Sequence, residues 1–404
     1  MTLRDAGVSL IDCEHRTPPA AVEGFPYIAI PQLKEGRIDL SDVRRISRRH
    51  LDEWTRRAKP QVNDVILSRR CNPGETAWVP PGLECALGQN LVLLRSAGSQ
   101  VFPPFLRWLV RSPAWWEQVA RFINVGAVFD SLKCADIPNF ELPLPPVPQQ
   151  RAIASILGAL DDKIELNRRM NETLEGIAQV LFKSWFVDAI ENGLPEGWRE
   201  STIGEEVCVM GGSTPSTSRA EFWEGGAHHW ATPKDLAPLT SPVLLSTERR
   251  ITDAGIQQIS SGLLPVGTVL LSSRAPIGYL SIAEVPVAVN QGFIAMVCNK
   301  DLPNHFVRLW TSHNMELIRS NANGTTFMEI SKSNFRPLPV AVPPKPLLDG
   351  FSDQMQPLHQ RIVSNVKESQ QLATIRDTLL PKLLSGELRV PIKNGSQAPG
   401  DSIG

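Results

Sequence analysis

From Ile153 to Trp185 the seam positions recur in alternating steps of four and three: Ile153, Leu157, Leu160, Ile164, Asn167, Asn171, Leu174, Ala178, Leu181 and Trp185. This is the narrow heptad seam of a coiled coil, not the wider stripe of a helix lying on a globular core. A seam of this kind needs a partner. Phe351, Met355, Leu358, Ile362, Asn365, Ser369, Leu372, Arg376, Leu379 and Leu383 repeat the steps, and one offset of 198 carries each of the first ten positions onto the second ten. Asn167 thereby falls on Asn365. The pattern predicts two long helices packed antiparallel with these asparagines adjacent, where a misaligned amide would lie buried without its hydrogen bond. Pro381 is expected to kink or stop the second helix, and Gly386 to mark its C-terminal end.

The intervening segments carry a different period. Asp64-Val65-Ile66-Leu67-Ser68-Arg69-Arg70 matches Thr268-Val269-Leu270-Leu271-Ser272-Ser273-Arg274, with Gly74 falling on Gly278. Each reads as a short buried strand ending in a polar loop with an arginine. Leu87 to Leu93 resembles Val289 to Ala295 as a loop running into a strand, and Phe105-Leu106-Arg107 pairs with Phe306-Val307-Arg308 at the head of an amphipathic helix. Gly126 to Leu132 pairs with Gly324 to Ile330, and each block closes on prolines, at Pro145-Pro146-Val147-Pro148 and Pro343-Pro344-Lys345-Pro346. The chain therefore runs block, helix, block, helix. Short strands with one or two helices per block indicate an α+β fold with a pseudo-twofold internal repeat. The first block starts at a point equivalent to about residue 203, so its leading strand is expected to be shortened.

Two stretches resemble the DNA-specificity (S) subunits of type I restriction-modification systems. One is Leu160-Asp161-Asp162-Lys163-Ile164-Glu165-Leu166-Asn167-Arg168-Arg169-Met170-Asn171-Glu172-Thr173-Leu174-Glu175, continuing to Leu181-Phe182-Lys183-Ser184-Trp185-Phe186-Val187-Asp188. The other is Arg376-Asp377-Thr378-Leu379-Leu380-Pro381-Lys382-Leu383-Leu384-Ser385-Gly386-Glu387-Leu388, and Leu194-Pro195-Glu196-Gly197-Trp198 is similar to the family's lead into a recognition domain. The resemblance implies a target-recognition domain over 1–142, a central helix over 143–190, a second recognition domain over 191–342 and a distal helix over 343–390; the small, polar residues 391–404 are expected to form a disordered tail. It implies a non-catalytic subunit whose two domains read two unlike halves of a DNA target, with the coiled coil setting the unread gap. Double-stranded DNA and two modification subunits are the expected partners, with restriction subunits as an optional addition. No cofactor is expected on this chain; S-adenosylmethionine, ATP and Mg belong to the partner subunits. The rival readings are a free-standing methyltransferase or nuclease, for which the sequence shows no catalytic motif, and a coiled-coil scaffold without DNA specificity.

Length and composition fit this picture. The 404 residues suit two or three domains, and 42% hydrophobic with 21% charged residues is ordinary for a folded protein. The N-terminus lacks a signal-peptide pattern and no run approaches a membrane span, so a cytoplasmic location is expected. The net charge of −1 argues mildly against nucleic acid, but its distribution is uneven. Between Arg44 and Arg70, Arg44, Arg45, Arg48, Arg49, Arg56, Arg57, Lys59, Arg69 and Arg70 face only Asp52, Glu53 and Asp64.

Arginine can be bidentate to guanine, and asparagine or glutamine to adenine. The candidate DNA contacts are Arg44, Arg45, Arg48, Arg49, Arg69, Arg70, Gln89 and Asn90 in the first block, and Lys234, Arg274, Asn290 and Gln291 in the second. Gly211-Gly212-Ser213-Thr214-Pro215-Ser216 lacks the lysine of a phosphate-binding loop and reads as a flexible turn touching phosphate at most. Phe182, Trp185, Phe186, Leu383 and Leu384 exceed what a two-helix seam requires, which marks them as a partner interface. Asp161, Asp162 and Glu165 read as surface ion pairs with neighbouring bases. The six cysteines form no C-x-x-C pair, the histidines lack helical metal spacing, and no nucleophile or methyl-donor motif is present. Catalytic and metal sites are therefore expected to be absent.

Overall fold

The computed structural model describes residues 1–126, 128–324 and 328–391. It divides into two compact units that cut across the linear order: residues 1–162 with 372–404, and residues 163–371. Each unit combines one recognition block with one half of each long helix. The proposed tail after 391, and parts of the Gly126–Leu132 and Gly324–Ile330 pairing, lie outside the described residues.

In the first unit, Val8–Asp12, Leu91–Ser96, Val65–Ser68 and Thr76–Trp78 form an antiparallel sheet in that order. All four residues of Val65–Ser68 are buried because both faces of the strand are covered. The period of two splits the apolar residues between two cores. Val65, Leu67, Val92 and Leu94 point into one with Phe105, Trp108 and Trp115, while Ile66, Leu91 and Leu93 point into another with Ile28, Val79 and Leu87. A smaller sheet places Phe25–Ile28 between Arg44–Ile46, antiparallel, and Ala86–Leu87, parallel.

The second unit repeats this plan. Cys208–Met210, Phe293–Val297, Val269–Ser272 and Leu280–Ala283 form the larger sheet, extended by Val243–Leu244. His228–Ala231 lies between Arg249–Ile251, antiparallel, and Val287–Val289, parallel. Parity is kept: Val269, Leu271, Ile294 and Met296 face one core, and Leu270, Phe293 and Ala295 the other. Gly74 and Gly278 both have positive φ, and in both a Cβ would press into the helix behind, at Trp116 and Val119 or at Arg319. The second block opens with Arg199–Thr202 paired along Pro339–Val342, whereas the first has only an isolated bridge between Thr2 and Glu141.

The long helices span Val147–Phe182 and Lys345–Ser385, the first continuing through a π turn, Lys183–Val187, and a 3-10 turn, Asp188–Ile190. Within the second unit their halves run antiparallel. Asn167 Nδ2 donates to the Asn365 carbonyl (3.4 Å) and to Glu368 (2.8 Å), while Asn365 Nδ2 donates to Asn171 Oδ1 at 2.8 Å. The register expected from the offset is the one observed. Every seam position on both helices is buried or half-buried. Pro381 does not stop the distal helix, which continues four residues further. Gly386, at φ 76°, ends it, and the Leu388 N–H donates to the Lys382 carbonyl at 3.0 Å.

Two expectations are corrected. Phe182 and Phe186 are buried, with Trp185 packed beside them, in the second unit's own core; Phe186 lies 4.7 Å from Phe351 and 4.9 Å from Phe306 between ring centroids. Leu383 is buried and Leu384 packed in the first unit's core. These side chains are not surplus, because each helix half packs on its recognition block as well as on the other helix. Asp161 is likewise no surface acid. It is 3% exposed and accepts from Arg376 Nη1 at 2.7 Å, with Arg37 Nη2 at 3.4 Å and Arg107 Nη1 at 4.0 Å. In the second unit, Arg308, at the position matching Arg107, bonds Glu175 at 2.9 Å. Glu165 does form the surface pairs expected of it, with Arg168 and Arg169.

Candidate nucleic-acid interface

In each block the polar candidates gather where the central strands of the larger sheet end. In the first, Val65–Ser68 exits into Arg69 and Arg70, and the Arg69 N–H donates to the Asn90 carbonyl at 3.0 Å. The strand Val8–Asp12 exits beside the same loop. There His15 Nδ1 meets the Gln89 carbonyl at 2.9 Å and Nε2 faces Asp12 Oδ2 at 2.9 Å, while Cys13 Sγ donates to the Gly88 carbonyl at 3.1 Å. Donor atoms of Asp12, Cys13 and His15 thus lie within 4.8 Å of one another, a juxtaposition not anticipated from the sequence. Their bonds close a clasp on residues 88–89. Burial, reinforced by Asp12, pushes the Cys13 thiol up to about 12, so it stays neutral.

Gln89 and Asn90 line a cleft of about 380 Å³ with Arg44, Tyr27 and Thr17. Arg44 donates to the Pro18 carbonyl at its edge, at 3.0 Å. Arg70 lies over Phe129, 5.6 Å from the ring centroid. Two of the other basic candidates, Arg45 and Arg48, are committed elsewhere. Arg45 donates to the Gly24 carbonyl at 2.9 Å, and Arg48 bridges Glu84 at 2.9 Å and covers Phe25. Arg49 is exposed on the helix Arg48–Trp54.

The second block builds the equivalent place. Val269–Ser272 exits into Ser273, whose N–H donates to the Gly292 carbonyl at 2.8 Å, and Arg274 pairs with Glu329 at 3.5 Å. Asn290 Oδ1 accepts from the Gly292 N–H at 2.8 Å, and Gln291 Oε1 accepts from the Thr214 hydroxyl at 2.8 Å. Lys234 is exposed on the turn Pro233–Leu236, whose Pro233 abuts Gly292. The Gly211-Gly212 tract is not the loose turn expected: a Cβ on Gly212 would fall 1.6 Å from the Val289 carbonyl oxygen, so backbone packs on backbone there.

A pair of arginines in this block escaped the sequence reading. Arg44-Arg45-Ile46-Ser47 recurs as Arg249-Arg250-Ile251-Thr252. Arg250 donates to the Ala227 carbonyl at 2.9 Å as Arg45 does to Gly24, and Ser47 and Thr252 both cap the following helix. Arg45 and Arg250 are thus braces of the small sheet. Their neighbours diverge: Arg249 stacks 3.7 Å from the Trp223 ring centroid and 5.4 Å from that of Trp230, whereas Arg44 opens on the cleft. The repeat itself was the signal.

The family described as "Type I restriction modification DNA specificity domain" matches twice, over residues 18–176 and 195–370. The chain belongs to this type I DNA-specificity family. It is 26% identical over 364 residues to the specificity subunit of the type I restriction enzyme MjaIX of Methanocaldococcus jannaschii, covering 86% of this chain and 82% of that protein. It is 24% identical over 402 residues to the HindI specificity subunit of Haemophilus influenzae, covering 80% and 86%. Among solved structures, the type I restriction-modification S subunit from M. genitalium shares the fold at a TM-score of 0.58 and 17% identity, covering 95% of each chain. Among the described residues no helix is long and apolar enough to cross a membrane.

Proposed function

We propose that the first block reads one half of a bipartite, asymmetric DNA target and the second block the other, with the paired helices setting the unread gap. Supporting this is the repeated placement of exit-loop residues: Arg69, Gln89 and Asn90 gather in one block, and Ser273, Asn290 and Gln291 in the other. Around the shared glutamines Gln89 and Gln291 the side chains differ while the scaffold is kept, with Arg69 standing where the second block has Ser273 and Asn90 where it has Gly292, as two different half-sites demand. Phosphate contacts fall to the exposed bases, with Arg49, Arg70 and Lys234 foremost. Methyl transfer and cleavage belong to modification and restriction subunits that supply S-adenosylmethionine, ATP and Mg.

The test is methylome sequencing of a host carrying the chain with its modification partner. A motif of two unlike short sequences at fixed separation is expected. A continuous motif, or methylation independent of sequence, overturns the reading. The isolated chain given S-adenosylmethionine and target DNA is expected to show no turnover.

A further inference from the structure

Strand registers fix which residues of the two blocks correspond. Ile11 pairs with Leu93 and Met210 with Ala295, so the fourth residue beyond each, His15 and Thr214, stands at the same place in the two blocks. By the same registers Gln89 and Gln291 correspond, each four residues before the paired position. In both blocks the first of these residues bonds the second, but through different atoms. His15 takes the backbone carbonyl of Gln89, at 2.9 Å, and the exposed carboxamide of Gln89 has no partner among the described residues; the Thr214 hydroxyl takes the carboxamide oxygen of Gln291 itself, at 2.8 Å. Neither residue belongs to a regular element, and each is held from behind: His15 by Asp12 at 2.9 Å, and the Thr214 segment by the close seat of Gly212 on Val289.

We propose that His15 and Thr214 are positioning residues for base readout that set what each recognition glutamine presents to DNA. Gln89 carries a full carboxamide on an anchored backbone and can offer donor and acceptor together, the pairing that suits an adenine edge. Gln291 is held by its oxygen, so its amide N–H groups lead, which suits an acceptor such as guanine O6 or N7 or thymine O4. The proposal rests on the reading of the two blocks as DNA readers.

The test selects DNA from a library randomised in both half-sites, using the full chain assembled with modification subunits, for wild type, Thr214→Val and His15→Ala. Thr214→Val keeps the shape of the side chain and removes the hydroxyl. It is expected to relax base preference at one position of the second half-site by roughly three- to tenfold, about the worth of one net hydrogen bond, leaving the first half-site unchanged. His15→Ala is expected to do the converse in the first half-site. His15→Gln, which can still donate to the carbonyl, should restore most of that preference. A uniform loss of affinity for all sequences, or unchanged preference at every position, overturns the proposal. Wild type selecting no bipartite sequence would instead defeat the underlying DNA-reading assignment, so the two failures are distinct.

Discussion

Neutralising Asp161 by Asp161→Asn probes how the first block is rooted on the helices. The carboxylate is buried, accepts from Arg376 Nη1 at 2.7 Å and has Arg37 at 3.4 Å and Arg107 at 4.0 Å; its loss leaves Asp377 as the acid bonded to Arg376 and Asp162 as an acid acting on Arg107. Burial works against the charge on Arg107 and lowers its pKa, with Asp161 as the main opposing influence. Removing one partner of a buried pair costs about 3–5 kcal/mol. Arg376 keeps its 2.8 Å bond to exposed Asp377, and Arg37 keeps its 2.7 Å bond to the Asp161 carbonyl, which place the loss at the low end, about 3 kcal/mol. For a unit of this size that corresponds to roughly 6–12 °C in melting temperature. Urea unfolding with hydrogen exchange is the assay, because exchange separates Val65–Ser68 in the first unit from Val269–Ser272 in the second. Protection should fall in the first strand and hold in the second. Arg48→Ala, breaking an exposed bridge, serves as control at under about 1 kcal/mol. Adding Arg376→Met to Asp161→Asn should recover part of the loss, since an apolar replacement for a broken pair is often neutral. A loss below about 0.5 kcal/mol for Asp161→Asn, or equal loss of protection in both strands, refutes this account.

Three further outcomes are expected. Burial, then the neighbouring His359, holds the pKa of His305 down to about 4 against an ordinary 6.5; its neutral form is the folded form, so its contribution to stability is complete above pH 6.5 and is lost as pH falls toward 4. His305→Gln should flatten that acid slope in the second unit's unfolding, with Glu284, His359 and Arg308 still in place. Gly212→Ala should destabilise the second unit by several kcal/mol, read by urea unfolding, because its Cβ meets the backbone of Val289. Matched insertion of one heptad into both helices adds about 10.5 Å, close to three base-pair steps, and should lengthen the methylated motif's gap with weakened recognition, since the added pairs also turn one half-site by roughly 100°; an unchanged gap in an active variant would show that the helices do not set it.

The helices, their register and the doubly buried strands were legible because each follows from period. Heptad steps need no tertiary knowledge, and four apolar residues bounded by polar loops read as a covered strand wherever they lie. What stayed hidden depended on a third surface. Asp161 looks solvent-facing on a helix wheel but is enclosed by Arg376 of the distal helix together with Arg37 and Arg107 of the recognition block; Phe182 and Phe186 look surplus because they too pack on a recognition block. The mixed pairing of the small sheet had no periodic signature, since its strands are two to four residues long. The second Arg-Arg-Ile motif sits at an offset of 205, not the 198 of the helices, and beside Glu248, which disguised it as neutral surface. Of the candidate bases, the exit-loop members were found together, whereas Arg45 proved to brace backbone.

The nesting of the two units has a consequence for synthesis. Residues 163–371 are continuous, so the second unit holds every segment it needs once that stretch has left the ribosome. The first unit does not: its core includes Leu380 and Leu383 from the far end of the distal helix, packed with Ile153, Leu157 and Trp108. The block made first is therefore finished last. Until the final segment arrives, its apolar helix face stands uncovered, and shortening the chain before Leu380 would injure the domain encoded at the opposite end.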